Sequence, residues 1–213
     1  YLERVKVEEI PELPFDKRKR FKEEYDIPMA EVDVLVSDGE FANYTEQVIS
    51  ELREWATSLE ELDGTQEEIW EKSKKKLVKL VIAWVINRLK TLLDKNGINI
   101  KDCLVTPENM AELITIIYQS KINSTAAQRV LQEMVETGGD PSMIIEDRDL
   151  TQVSGEEDLS TIIEQVIKNN PEQVAEYKKG KVNVIQFLIG QVMKETKGKA
   201  NPEVVKDLLE KHF

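Results

Sequence analysis

Six lysines near the C-terminal end of this 213-residue sequence are the side chains whose type and spacing could do chemistry. Lys178, Lys179 and Lys181 flank Gly180, and Lys194, Lys197 and Lys199 surround Gly198. Both groups fall at expected helix-to-helix junctions, one on either side of an apolar helix. An ammonium group is a compact charge suited to a phosphate oxygen, and a neighbouring glycine lets backbone and ligand come close. Asn201-Pro202 then opens a further helix, whose first N–H groups offer donors to the same anion. A plainer account competes: lysines near helix C-termini complement the macrodipole, at about 0.3–1 kcal/mol each. It covers Lys178 and Lys194 comfortably, and less well Lys199, which lies past a helix stop and ahead of the next start. Lys178, Lys179, Lys181, Lys194, Lys197, Lys199 and Asn201 are thus the candidate phosphate contacts.

Other chemistry finds little to work with. Cys103 is the only cysteine and His212 the only histidine, which excludes an internal disulfide framework and any cysteine- or histidine-cluster metal centre. Cys103 sits in a linker between Lys101-Asp102 and Leu104 with no histidine partner, and His212 is next to the chain end. Glu60-Glu61-Asp63 and Glu156-Glu157-Asp158 could coordinate Mg²⁺ in principle, but neighbouring acids at helix starts read as caps and solvated charge. Gly138-Gly139 reads as a helix stop rather than a phosphate-cradling loop. A third basic group, Lys72, Lys74, Lys75, Lys76 and Lys79, has Glu67, Glu68 and Glu71 within a turn and reads as a solvated face. No catalytic residue and no metal ligand is assigned.

The elements that must position the lysines are all helical, and their punctuation is legible. Phe15, Phe21 and Tyr25 indicate a short first helix after an extended opening from Tyr1 to Pro14, and Pro28 opens a second through Val36. Ser37 with Glu40 reads as a capping box ahead of Phe41, Tyr44, Val48, Leu52 and Trp55. Thr65 with Glu68 reads as another, leading one long helix to a stop at Gly97. Thr106-Pro107, Asp140-Pro141, Asn170-Pro171 and Asn201-Pro202 each place a cap and then proline at the first helical position. Asn123 or Ser124 caps the helix of Ala127, Val130, Leu131 and Met134, and Ser154 with Glu157 boxes the stripe Leu159, Ile162, Ile163, Val166 and Ile167. Val184, Ile185, Leu188, Ile189 and Val192 form the helix between the two lysine groups. No segment alternates with period two. The fold class expected is all-α, in two consecutive helical domains over 1–97 and 98–213.

Charge gives the partner class. The chain carries 29 Lys+Arg against 41 Asp+Glu, a net charge of −12, which argues against a protein coated for nucleic acid. The charge is uneven, however. Residues 97–164 hold 4 basic and 13 acidic side chains, a net of −9, whereas 165–213 hold 9 basic and 6 acidic, a net of +3. Screening over about 8–10 Å lets a basic end hold a polyanion despite an acidic remainder. No apolar run approaches the roughly 20 residues that cross a bilayer, so no membrane partner is expected. The chain opens at Tyr1 with no signal-peptide pattern and is expected to be a piece of something longer.

One family shares these residues. The run Phe187-Leu188-Ile189-Gly190-Gln191-Val192-Met193-Lys194-Glu195-Thr196-Lys197-Gly198-Lys199-Ala200-Asn201-Pro202 resembles the C-terminal signature of the B subunit of aspartyl/glutamyl-tRNA(Asn/Gln) amidotransferase (GatB). Leu13-Pro14, Arg18, Arg20, Phe21 and Glu24-Tyr25 resemble the entry to that family's helical domain. Thr106-Pro107-Glu108-Asn109, Leu113, Val130, Glu133-Met134, Glu136-Thr137-Gly138 and Asp140-Pro141 resemble the start of its YqeY-like tail, and Asn170-Pro171, Tyr177 and Gly180-Lys181 continue it. One departure lies at Asn123–Gln128, where the family usually shows a Gly-Lys pair and a second lysine and neither lysine is present.

The resemblance implies a cytoplasmic ligase of protein biosynthesis that uses ATP, Mg²⁺ and glutamine-derived ammonia to convert Glu-tRNA(Gln) or Asp-tRNA(Asn) to Gln-tRNA(Gln) or Asn-tRNA(Asn). It implies amidotransferase subunits A and C as partners, with tRNA(Gln) or tRNA(Asn). The activating site of that family lies in an N-terminal cradle that nothing here resembles. The chain is therefore expected to be the helical domain plus the YqeY-like tail, without cofactor, engaging the outer corner of tRNA. The alternative is a helical docking module that binds the amidotransferase or a synthetase rather than tRNA.

Overall fold

The computed structural model of the chain describes residues 12–55, 65–151 and 156–213, without the side chains at 66 and 156–158. Most of the extended opening, Glu60-Glu61-Asp63, the Ser154–Glu157 box and the side chains of Glu156-Glu157-Asp158 lie outside the described residues. Every regular element among the described residues is helical, and the chain divides into two compact units between Cys103 and Leu104.

The first unit holds α1 (Pro14–Tyr25), α2 (Met29–Val36), α3 (Gly39–Trp55), α4 (Gln66–Trp84) and α5 (Lys90–Asn96). Phe21, Leu35, Leu52, Leu77 and Leu89 are fully buried there, each contributing roughly 1.5–3 kcal/mol of apolar transfer. The Thr65–Glu68 box forms: Glu68 N–H donates to Thr65 Oγ1 at 3.3 Å, and Thr65 N–H donates to Glu68 Oε2 at 2.9 Å. Arg20 donates through Nε and Nη2 to the two oxygens of Glu12, at 2.9 and 2.6 Å, and also pairs with Glu46. This bidentate clamp fixes the start of α1.

Three local expectations change. Ser37 does not open α3: it stays in the right-handed region after α2 (φ −63°), and its hydroxyl donates to Val34 O at 2.7 Å. Asp38 caps instead, accepting from Glu40 N–H at 2.9 Å and Phe41 N–H at 3.3 Å, because the next residue along carries the more strongly accepting carboxylate. The long helix to Gly97 is also interrupted by a π-helical turn over Val85–Leu89, where Lys90 N–H reaches back to Val85 O. Beyond Gly97 (φ 65°), a 3₁₀ turn over Ile100–Asp102 packs against α3, and Lys101 meets Glu40 at 3.2 Å. That return contact moves the end of the first unit from the Gly97 stop to Cys103.

The second unit has two groups of helices. α6 (Pro107–Tyr118), α7 (Ser124–Thr137) and α8 (Pro141–Asp147) pack on one another, with Met110, Leu113, Ile114, Leu131 and Met134 fully buried. α9 (Glu156–Asn169), α10 (Pro171–Lys178), α11 (Val184–Glu195) and α12 (Pro202–His212) enclose a core that includes Leu159, Ile163, Leu188, Val192 and Leu209. Thr106, Asn123, Asp140 and Asn201 cap α6, α7, α8 and α12 through side-chain oxygens. Asn170 departs from this pattern. It makes no cap bond to α10, and its Nδ2 donates to Val166 O at 2.8 Å, closing the end of α9 instead.

Candidate nucleic-acid interface

α11 sets the geometry of the lysines. Its apolar stripe buries Ile185, Leu188, Ile189 and Val192, so the opposite face is left to solvent, where Gln186, Phe187, Gly190 and Lys194 are exposed. Phe187 is 44 % exposed and Val182, in the turn ahead of the helix, 66 %. The two lysine groups stand at opposite ends of this face. Twelve residues of helix separate them by about 18 Å, so they form two clusters joined by one helical surface rather than a single cluster.

At the first end, Lys178 and Lys179 are exposed and make no ion pair among the described residues. Lys181 meets Glu176 at 2.7 Å. At the second end, Lys194 and Lys197 are exposed and likewise unpaired among the described residues, whereas Lys199 pairs with Asp149. Two of the six charges are therefore already balanced. Asn201 uses its Oδ1 to accept Glu203 N–H at 2.9 Å, and Pro202 has no N–H, so the start of α12 satisfies itself and carries an acidic residue in its first turn.

The turn between α11 and α12 is held firmly. Lys197 (φ 53°) and Gly198 (φ 78°) are both left-handed, a conformation that glycine adopts freely and lysine does not. Gly198 N–H donates to Met193 O at 2.7 Å and Lys199 N–H to Thr196 O at 3.0 Å. Asn123, while capping α7, donates through Nδ2 to Gly198 O and, at 3.4 Å, to Ala200 O. Lys197 and Lys199 are thereby placed on a scaffold shared by both helix groups.

A cleft of about 200 Å³ opens beside this turn, and Arg129 and Arg148 line it together with Lys197 and Lys199. Sequence spacing held no sign of the two arginines, because some 70 residues part Arg129 and some 50 part Arg148 from the lysines and only the fold brings them near. Arg148 Nε and Nη2 donate to Glu133 at 3.1 and 2.9 Å, and the guanidinium holds Glu133 below the usual carboxylate range. Lys199, with a further contribution from Lys197, does the same to Asp149.

The remaining groups do not assemble into a reactive centre. Among the described residues, no three His, Cys, Asp or Glu side chains are placed to hold a metal ion, and no helix is long and apolar enough to cross a membrane. Cys103 is half-buried and His212 exposed. On the front helix, Lys75 pairs with Asp26 at 3.2 Å.

Comparison with known proteins gives this surface its kinship. The model of a family described as GatB domain matches residues 65–213. The aspartyl/glutamyl-tRNA(Asn/Gln) amidotransferase B subunit numbered 2 of Clostridium acetobutylicum is 35 % identical over 210 residues, covering 99 % of this chain and 39 % of the relative. The corresponding B subunit of Ehrlichia chaffeensis is 35 % identical over 213 residues, covering 100 % of this chain and 39 % of its own length. That of Thermotoga petrophila is 33 % identical over 211 residues, at 99 % and 39 %. The chain thus spans about two fifths of the length of the curated relatives it matches, and by the extent of the family match it belongs to the GatB domain family.

Proposed function

We propose that this chain is the tRNA-engaging, catalytically inert C-terminal part of an amidotransferase GatB protein, gripping the RNA through phosphates along the exposed face of α11. The observation that carries the reading is the disposition of the free cations. Lys178 and Lys179 at one end, and Lys194 and Lys197 at the other, stand exposed without carboxylate partners among the described residues. Between them Phe187 and Gly190 offer an exposed ring and a position with no atom within 4 Å of where a Cβ would stand. Folded RNA is held largely through phosphates, 2′-hydroxyls and shape, so lysines on a rigid helical frame suffice. Lys181, Lys199 and Asn201 belong to the same surface with their polar groups engaged within the chain.

In this reading the parent protein acts in the cytoplasm with subunits A and C, amidating Glu-tRNA(Gln) or Asp-tRNA(Asn) with ATP, Mg²⁺ and ammonia. In this reading ATP and Mg²⁺ belong to the parent protein's N-terminal cradle and not to the described residues of this chain. No ATP-dependent step is assigned to them. The test is charge reversal at exposed, unpaired positions. Lys194→Glu with Lys197→Glu is expected to weaken binding of a tRNA(Gln) transcript by at least roughly tenfold at low salt, from two lost phosphate contacts and two added repulsions. Unchanged affinity overturns the reading and leaves the protein-docking alternative, in which a pull-down of the other amidotransferase subunits survives nuclease treatment.

A further inference from the structure

We propose that the cleft between α7 and the α11–α12 turn binds one phosphodiester of the RNA backbone, and that the Asp149 carboxylate stands at the anion position in the free chain. The inference rests on the RNA-binding reading above and adds to it a specific subsite, with an internal competitor.

Charge is the first argument. Arg129, Arg148, Lys197 and Lys199 line the cleft with Asp149, and Glu133 pairs with Arg148, which leaves a net of +2. Two of these cations come from within 97–164, the stretch whose overall balance is −9. Arg129 and Lys197 are exposed and carry no ion pair among the described residues. An arginine on a helix opposite a lysine in a turn is an arrangement that accepts a two-oxygen anion.

The second argument is an asymmetry within the Lys199–Asp149 pair. The lysine side chain is only 22 % exposed, its partner 83 %. The ammonium is held against the protein, whereas the carboxylate stands in solvent and can swing away. An ion pair with so exposed a partner adds little to the stability of the fold, so exchanging it for a phosphate costs little. Arg148–Glu133 is the reverse, at 62 % and 30 % exposed. There the carboxylate is the held group and the guanidinium the more exposed one.

Backbone strain supplies the third argument. Asp149 (φ 51°), Lys197 (φ 53°) and Gly198 (φ 78°) are all left-handed and all border this one cleft. Non-glycine residues are strained in that region and persist where the surroundings fix them. Here the Asn123 bonds to Gly198 O and Ala200 O do so for the Lys197–Gly198 turn, and Leu150 N–H, donating to Ile145 O at 2.9 Å, does so for Asp149. The backbone that carries Lys197 and Lys199 is therefore pre-positioned, and the exposed Asp149 side chain is the group that has to leave.

The experiment uses the 213-residue chain with two probes, tripolyphosphate followed by amide NMR shifts and a tRNA(Gln) transcript followed by anisotropy. Saturable shifts confined to residues 125–129, 148–149 and 197–199 are expected with tripolyphosphate, and they should be lost in Arg129→Ala with Lys197→Ala. Asp149→Asn keeps a side chain that tolerates the left-handed backbone, and is expected to tighten both ligands by roughly threefold. Shifts scattered over every lysine, or Asp149→Asn leaving affinity unchanged or weaker, overturn the subsite. tRNA binding unaffected by Arg129→Ala with Lys197→Ala overturns it while RNA binding elsewhere on the chain stands. Tripolyphosphate binding in the cleft with no tRNA binding overturns the RNA reading itself, and with it the assignment of the ligand.

Discussion

Single side chains in this protein are tuned by what stands beside them, and the six lysines divide on that basis. Lys181 and Lys199 hold carboxylates, while Lys178, Lys179, Lys194 and Lys197 hold none among the described residues. Sequence placed all six at helix junctions correctly but could not separate the two sets, because Asp149 lies 50 residues from Lys199 and pairing of that kind exists only in the fold. A different residue offers a clean pH test. Burial raises the Glu112 carboxyl above its ordinary value, with the nearby Asp140 adding to the rise, although Ser142 donates a hydrogen bond that opposes it. A carboxyl with a raised folded pKa binds its proton more tightly in the native state. Its stabilising contribution is therefore complete below the ordinary glutamate value of about 4.3, and is lost as pH rises through the folded value. Glu112→Gln retains the carbonyl acceptor for Ser142 and removes the ionisation. It is expected to raise the melting midpoint of the second unit at pH 7 by about 1–3 °C, with little gain at pH 4. A lowered midpoint at pH 7 would show that the charged form is the one the fold uses.

Helix ends explain where the elements were legible and where they were not. Thr65, Thr106, Asn123, Asp140 and Asn201 cap as their spacing indicates, since each precedes an apolar stripe whose burial fixes the helix start. Ser37 fails because Asp38 competes one residue later, and Asn170 fails because its amide finds Val166 O in the preceding helix. Local pattern cannot rank two adjacent caps or two flanking helices. The π turn at Val85–Leu89 is invisible for a related reason: the apolar spacing continues through it, and only the backbone bond from Lys90 N–H to Val85 O shows the extra residue. The capping assignment is testable by substitution and chemical denaturation. Asp38→Ala is expected to cost about 1 kcal/mol, and Ser37→Ala less than about 0.5 kcal/mol. The opposite ranking would restore Ser37 as the cap.

At the scale of the whole chain, an acidic protein keeps four exposed lysines, unpaired among the described residues, at the two ends of α11. The all-α class was readable from helical periodicity and caps alone, whereas the boundary between the units depended on the return of Ile100–Asp102 to α3, a tertiary contact. The lysine groups were readable as charge runs. Arg129 and Arg148 were not, because each sits alone in an acidic stretch. Lysine–phosphate contacts release condensed counterions, so RNA binding through this end should weaken as salt rises even though the whole chain carries a charge of −12. If the four unpaired lysines each neutralise one phosphate, log K falls with log salt at about −0.7 to −0.9 per contact, hence near −3 in total. The decisive measurement is the affinity of the 213-residue chain for a tRNA(Gln) transcript between about 50 and about 200 mM salt. A slope of about −3, flattened by about two units in Lys194→Ala with Lys197→Ala, is the predicted result. A slope near zero, or one that those substitutions leave unchanged, would contradict the phosphate grip on α11.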